Sequence, residues 1–215
     1  HIEPALNELA KRYTIAITPN MVDAIDQNDL ANDPIAKQFV PDAQELRILP
    51  EEESDPIGDY NHAPLKALVH RHRDRVLLKP TQACAVYCRF CFRREMVGPH
   101  GDAISHQDVE EALDYIAAHT EIKEVILTGG DPFVLSPARL KDLLARLYQM
   151  DHLKWVRVHT RVPVVQPDKI DTAFLNALKG SKPLIISLHI NHARELTDHA
   201  KYAIARLNQQ GHMLV

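Results

Sequence analysis

The sequence predicts an α/β fold in which buried parallel strands alternate with amphipathic helices. From residue 75 onward, short apolar runs alternate with segments whose apolar residues recur at helical spacing. The short runs are almost continuously apolar, as in strands that are covered on both faces of a parallel sheet with right-handed crossovers. Polar and glycine-containing stretches follow these runs, at the sheet edge where parallel α/β folds carry their functional loops.

Composition limits the class of protein. The chain has 215 residues, a net charge of −4 and 45% hydrophobic residues, which is typical of a globular domain and unlike a basic nucleic-acid coat. No apolar run approaches the roughly 20 residues that span a bilayer, and no signal peptide is visible. We therefore expect a cytoplasmic protein with neither a membrane nor a nucleic acid as partner.

The first part of the chain differs from the rest. Thr18 and Pro19 predict the start of a short helix in "ITPNMVDAID". A connector rich in Pro and Asp follows it over residues 28–65, with few apolar residues at regular spacing. We expect residues 1–74 to form an N-terminal helical arm and connector, and residues 75–215 to form the α/β unit.

Helix starts in the second part are marked by capping residues. Ser105 with Asp108 three positions later forms the acidic variant of a capping box, and Ser136 precedes Pro137 at a first helical position. The expected helices are residues 105–119, 136–150, 172–180 and 197–211, and the expected strands are residues 75–82, 124–131, 155–161, 183–190 and 212–215. The last strand has no helix after it, which suggests a fragment of a longer chain.

The three cysteines of the chain, Cys84, Cys88 and Cys91, all lie in "CAVYCRFCF". An odd number excludes a closed disulfide framework. Structural zinc commonly takes four protein ligands, so a zinc site needs a histidine in addition. A [4Fe–4S] cluster takes four thiolates, and three cysteines leave one iron open to a cofactor or substrate. Two alternatives to an enzyme are a binding module stabilised by zinc or by a cluster, and an electron carrier with one cluster.

The motif C-x3-C-x-aromatic-C, with Phe90 as the aromatic residue, resembles the signature of radical S-adenosylmethionine (SAM) enzymes. The segments "HRHRDRVLL", "LTGGDPFVLS", "VRVHTRVPVVQPDKI" and "SLHINHARELT" resemble, in order, the lysine 2,3-aminomutase family. This resemblance implies a partial (β/α)6-type radical SAM barrel that is truncated after the start of its fifth strand. It also implies a [4Fe–4S] cluster, SAM and pyridoxal 5′-phosphate (PLP) as cofactors.

The activity implied by the resemblance is that of an isomerase. A 5′-deoxyadenosyl radical from SAM removes a substrate hydrogen, and the amino group moves between the α- and β-carbons. L-Lysine and β-lysine are the expected pair. Lysine isomerisation for elongation factor P and an amino acid such as glutamate are alternatives. Flavodoxin or ferredoxin is the expected electron donor, and a homo-oligomer is the expected state of the full-length protein.

The resemblance also assigns residues. Cys84, Cys88 and Cys91 correspond to the cluster ligands, and Arg93 to the arginine that binds the substrate carboxylate. Phe90 is expected near the adenine of SAM, at a position where the family often has histidine. The other expected SAM-binding residues are Gly129, Gly130, Asp131, Ser187, His189 and Asn191, and the expected PLP-region residues are Arg71 and Arg75.

The lysine that binds PLP in the family, the acidic residues that recognise the ε-amino group and a glutamine of strand five are all expected beyond residue 215. Neither Lys79 nor Lys182 has the matching context of the PLP lysine.

Overall fold

The computed structural model describes residues 2–98 and 103–215. Eight α-helices and six β-strands lie within these ranges. The helices are α1 Ile2–Arg12, α2 Pro19–Ala24, α3 Ala36–Phe39, α4 His106–Ala118, α5 Pro137–Tyr148, α6 Val162–Val165, α7 Thr172–Ala177 and α8 Asp198–Gln209. The strands are β1 Leu68–His72, β2 Arg75–Thr81, β3 Glu124–Gly129, β4 Trp155–Thr160, β5 Leu184–Leu188 and β6 Met213–Leu214.

The six strands form one sheet in the order β1-β2-β3-β4-β5-β6. All neighbours from β2 to β6 pair in parallel, and β1 pairs antiparallel with β2. Within the described part of the chain the sheet is open, with β1 and β6 at its edges. The expected α/β class and the expected incomplete barrel are confirmed.

The end of β2 departs from regular pairing. Leu78 is opposite Leu127, but Thr81 is opposite Gly129, so one extra residue is accommodated in β2. Pro80 lies in this interval and has no N–H to donate to a ladder, which explains why the irregularity falls there. The chain that leaves β2 is thereby brought against the turn that ends β3.

The helices begin where the capping residues predict. Ser105 Oγ accepts a bond from the Asp108 backbone N–H, and the Asp108 carboxylate accepts one from the Ser105 backbone. The Ser136 hydroxyl accepts from the backbone of Arg139 at the start of α5. Each cap satisfies donors that the first turn leaves without intrahelical partners.

The main core lies between the sheet and its helices. β2, β3, β4 and β5 contribute buried Val, Ile and Leu side chains, and α4, α5, α7 and α8 cover them. The helical stripes predicted from the sequence are buried: Val109, Leu113, Ile116, Leu140, Leu143, Leu144 and Leu147.

A second, smaller core joins the N-terminal arm to the sheet unit. Met21, Ile25, Ile35 and Phe39 of the arm pack with residues that include Val165 of α6. Thr18 precedes α2 as expected, but its hydroxyl does not cap the helix and donates instead to the Val165 carbonyl. The connector is therefore packed onto the body of the protein.

Four elements were not predicted from the sequence: α1, α3, β1 and α6. α3 and α6 span only four residues each, too few to establish a period, and β1 lies in a polar segment. The expected boundary between residues 74 and 75 falls in the turn of the β1–β2 hairpin. The division into two units stays a prediction.

No helix in residues 2–98 and 103–215 is both long and apolar enough to cross a membrane.

Candidate functional site

A cavity of about 400 Å³ lies at the carboxyl ends of the parallel strands. The cysteine loop after β2, the turn after β3 and the ends of β4 and β5 all contribute to its lining. The predicted site residues in this lining are Cys84, Cys88, Phe90, Cys91, Arg93, Gly129, Gly130, Asp131, Ser187 and His189.

The N-terminal arm holds the cysteine loop in place. The backbone N–H of Tyr87 donates to the Ala16 carbonyl at 3.1 Å, and that of Arg89 donates to the Gln38 carbonyl at 2.8 Å. The Arg89 guanidinium forms a partly buried ion pair with Glu45, with 2.6 Å between Nη2 and Oε2. Arm and loop thus share backbone and side-chain bonds on both sides of Cys88.

Two of the three thiols, Cys84 and Cys91, lie in an environment that favours their neutral form. Burial raises the pKa of Cys84, and the nearby Asp131 carboxylate adds to the rise. Burial also raises the pKa of Cys91. Bound metal supplies the positive charge that converts such thiols to thiolates.

The arrangement of ligands differs from a site for one ion. Among the residues that the structure describes, no three His, Cys, Asp or Glu side chains converge closely enough to hold a single metal ion. A [4Fe–4S] cluster takes one thiolate at each iron, so its ligands need not meet at one point. Three sulfur ligands around one cavity fit such a cluster.

The two glycines of the β3 turn allow the cysteine loop to approach. The N–H of Gly130 donates to the Thr81 carbonyl, and that of Asp131 donates to the Ala83 carbonyl, both at 2.8 Å. A Cβ on Gly130 would lie 2.2 Å from the Ala83 carbonyl oxygen, and Gly129 has a φ of +103°. The glycines are thus required by the protein's own backbone.

Asp131 connects this turn to β4. Its Oδ1 accepts bonds from the Thr160 hydroxyl at 2.7 Å and from the Phe133 backbone at 3.0 Å. Its Oδ2 accepts from the backbone of Arg161 at 2.7 Å. Burial raises the pKa of Asp131, while these bonds oppose the rise. Both carboxylate oxygens are engaged by the protein itself.

The end of β5 meets the cysteine loop across the cavity. The rings of Phe90 and His189 contact edge to face, with centroids 6.1 Å apart. His189 Nε2 lies 2.9 Å from Asn191 Oδ1. Burial, followed by the charge of Arg161, lowers the pKa of His189 and so favours the neutral imidazole. Asn191 does not line the cavity.

Arg93 lines the cavity and is held from behind by Asp59. Its Nε and Nη2 donate to Asp59 Oδ2 at 3.0 Å and 2.8 Å, and both side chains are buried. Arg71 lies outside the lining, with its Nη2 3.6 Å from Asp59 Oδ1. Asp59 therefore links the two arginines, although only Arg93 reaches the cavity.

Arg75 is not brought to this cavity. It begins β2, six residues before the strand's last residue, and is therefore about 20 Å from the cysteine end at roughly 3.3 Å per residue. Its Nε donates to Asp74 at 3.1 Å on the exposed hairpin turn.

Lys79 is buried in β2, and burial lowers its pKa.

The sequence analysis missed Arg161, which lies in the "HTRVP" segment after β4 and lines the cavity. Its Nη1 donates to Cys88 Sγ at 2.9 Å, and its Nη2 donates to Glu195 Oε2 at 2.8 Å. The same Nη2 contacts Gln38 Oε1 at 2.9 Å. The position of "HTRVP" at a strand end was the available signal, but the partners of this arginine are distant in sequence.

Comparison with known proteins agrees with this geometry. Residues 78–209 match the model of the radical SAM superfamily. The chain is 35% identical to an L-lysine 2,3-aminomutase of Clostridium subterminale, over 97% of this chain and 50% of that protein. It is 34% identical to a glutamate 2,3-aminomutase of Clostridioides difficile, over 96% of this chain and 48% of that protein.

An L-lysine 2,3-aminomutase of Escherichia coli (strain K12) is 31% identical over 94% of this chain and 58% of its own length. The chain thus spans about half the length of the curated relatives it matches. The family match includes β2 from Leu78, the cysteine loop and every parallel strand up to β5. The chain belongs to the radical SAM superfamily, whose members carry a [4Fe–4S] cluster and use SAM, and within it the chain is similar to the 2,3-aminomutases.

Proposed function

We propose that the protein is a radical SAM, PLP-dependent amino acid 2,3-aminomutase that interconverts L-lysine and β-lysine. The proposal rests on one observation: three cysteine thiols, the Gly129–Gly130 turn and the polar end of β5 all line the same cavity. Relatives that match nearly all of this chain are L-lysine and glutamate 2,3-aminomutases. The cavity contains the side chains and backbone groups that would bind the cofactors, and the proposed reaction is the one named for these relatives.

The cluster and SAM would be held by different parts of this lining. Cys84, Cys88 and Cys91 would bind three irons, and the fourth iron would bind the amino and carboxylate groups of SAM. When bound, the two groups together supply a carbon radical that removes hydrogen from the substrate. The N–H groups of Gly130 and Asp131 already donate to the protein, so the amino group of SAM, bound to iron as a neutral amine, would donate its N–H groups to carbonyls of this turn.

Around SAM, aromatic and polar side chains would position the cofactor and shield it from water. Phe90, in edge contact with His189, would cover the adenine end. Ser187 would offer a hydroxyl, and Asn191 would orient His189. Asp131 would act indirectly, because its carboxylate holds the end of β4 through Thr160 and the Arg161 backbone.

The substrate and PLP would lie beyond SAM. Arg93 would bind the substrate carboxylate through the part of its guanidinium that Asp59 does not occupy, since an arginine carries five N–H donors. The Arg71 guanidinium, which is 38% exposed, would attract an anionic group such as the PLP phosphate. Arg75 has the same proposed role, from its place at the start of β2 beside Asp74.

The test is an anaerobic assay of the full-length protein that contains this chain, reconstituted with iron and sulfide. The assay contains SAM, PLP and a reductant such as reduced flavodoxin, with L-lysine in one arm and L-glutamate in the other. We expect β-lysine in the first arm. Turnover of glutamate alone would reject lysine as substrate, and a colourless protein with zinc and no iron would reject the radical mechanism.

A further inference from the structure

We propose that Arg161 raises the reduction potential of the iron–sulfur cluster by holding its positive charge against the Cys88 thiolate. The inference rests on the proposed cluster at Cys84, Cys88 and Cys91. Arg161 is a positioning residue in this scheme, because it contributes no bond to iron. Its effect is electrostatic and is exerted through one of the sulfur ligands.

The contact that carries the inference is short and charged. Arg161 Nη1 lies 2.9 Å from Cys88 Sγ, which is within hydrogen-bond range for a sulfur acceptor. The guanidinium keeps its positive charge at every physiological pH. A thiolate sulfur that binds one iron retains lone pairs, so it can still accept this bond when the cluster is present. Hydrogen bonds to cluster sulfurs are among the features that set the potential of such centres.

The position of the charge is fixed by contacts from two distant parts of the chain. Arg161 Nη2 donates to Gln38 from the N-terminal arm and to Glu195 from the segment after β5. The guanidinium carbon lies 5.1 Å from the centre of the Phe39 ring. Only 7% of the Arg161 side chain is exposed, and Glu195 is fully buried, so solvent screens this pair little.

The order of charges determines the direction of the effect. Nη1 faces the sulfur and Nη2 faces Glu195, so the guanidinium lies between the carboxylate and Cys88. The positive end of this ion pair is directed at the cluster. Because reduction adds negative charge to the cluster, the reduced state gains more stabilisation than the oxidised state. The potential is therefore higher with Arg161 than without it.

The experiment is a redox titration of the full-length reconstituted protein, without SAM, in which the EPR signal of the reduced cluster is measured against potential. Arg161→Gln is expected to shift the midpoint to a more negative value. Glu195→Gln is expected to shift it to a more positive value, because the positive charge then lacks its counter-ion. Opposite shifts from two residues that bond to each other are not expected from general disruption.

Two further variants test whether misfolding, or the loss of any nearby cation, could explain the shifts in midpoint. Arg161→Gln leaves Glu195 buried without its cation, so the double variant Arg161→Gln/Glu195→Gln replaces the pair by neutral amides, and its midpoint should also lie below that of the wild type. Arg157→Gln removes a cation from β4, the strand that precedes Arg161, where it is paired with Glu124 at 2.7 Å, and should leave the midpoint unchanged.

The outcomes separate this inference from the proposed cluster. A wild-type protein that assembles no iron–sulfur cluster overturns both. A wild type with a normal cluster, and midpoints for Arg161→Gln and the double variant equal to that of the wild type, overturns only the role of Arg161. Shifts of the same sign for Arg161→Gln and Glu195→Gln also overturn it.

Discussion

At the scale of single residues, Asp59 balances the charges behind the cavity. Two arginines direct their guanidinium groups at it: Arg93 through two hydrogen bonds and Arg71 at 3.6 Å. Asp59 has only 2% of its surface exposed, so the charges are poorly screened. Removing the carboxylate leaves a buried cation without a partner, which is the costly way to break a buried ion pair.

Asp59→Ala is therefore expected to lower the free energy of unfolding by about 3–5 kcal/mol, as measured by urea denaturation with circular dichroism. The matched control is Glu52→Ala, which breaks a more exposed pair with Arg94 at 3.3 Å and should cost about 0–1 kcal/mol. Equal losses in the two variants would show that burial of the Asp59–Arg93 pair has no energetic consequence.

Gly130 is a second residue whose identity follows from a contact. Its missing Cβ leaves room for the Ala83 carbonyl oxygen, which would otherwise be only 2.2 Å away. Gly130→Ala must displace the cysteine loop, at a cost of about 1–3 kcal/mol typical of overpacking.

We expect Gly130→Ala to bind less iron and sulfide after reconstitution than the wild type. Gly211→Ala is the control: Gly211 has a φ of +84°, and a Cβ there meets no atom within 4 Å. That variant should lose stability through backbone strain but retain its iron. Full iron loading of Gly130→Ala would contradict the proposed reason for this glycine.

At the scale of elements, the N-terminal arm is attached by polar contacts as well as by its core. Asp33, just before α3, accepts backbone bonds from Ile35 and Ala36, and its Oδ2 lies 2.6 Å from Arg194 Nη1. Burial alone would raise the pKa of Asp33, but these hydrogen bonds outweigh it and lower the pKa to about 2. The ionised carboxylate is therefore part of the folded arm.

This lowered pKa predicts a pH dependence. The stabilisation is fully present above the unfolded value of 3.8 and is lost as the pH falls through about 2, where the folded form takes up its proton. Asp33→Asn should be less stable than the wild type at pH 6, with a difference that shrinks between pH 4 and pH 2. Unfolding curves of both proteins at several pH values measure this difference in stability. A difference that stays constant from pH 6 to pH 2 would contradict the lowered pKa of Asp33.

At the scale of the whole molecule, arm and sheet are joined on several sides. The arm covers α6 and α8 through the small core, supports the cysteine loop and supplies Gln38 to the buried network of Arg161. Its apolar residues share one small core with Val164, Val165 and Ala200 of the sheet unit. The molecule should therefore unfold as one unit.

Phe39→Ala tests this cooperativity. Phe39 is 1% exposed, and its truncation should cost about 3–5 kcal/mol. Trp155, the single tryptophan, lies at the start of β4 and reports on the sheet by fluorescence. We expect the Trp155 transition and the circular dichroism transition to coincide and to shift together in Phe39→Ala. An unchanged Trp155 transition would instead support independent units at residues 1–74 and 75–215.

The sequence by itself determined what depends on neighbours along the chain. Apolar spacing predicted the parallel strands and the helices α4 and α5, and capping residues predicted several helix starts, because these features depend on contacts within a few residues. The cysteine spacing and the "TGGD" turn marked the candidate site for the same reason. The helices α1, α3 and α6 and the antiparallel β1 were not predicted; α3 and α6 are too short to establish a period, and β1 is polar.

Tertiary structure alone decided which distant groups meet. Arg161 contacts Gln38 across 123 positions of sequence and Cys88 across 73, and the cation is held by a glutamate 34 residues away. Asp59 likewise meets Arg93 across 34 positions. Such pairs form where the sheet and the arm bring chain segments together, and the energy of a buried charge depends on that environment. No spacing rule in the sequence carries this information.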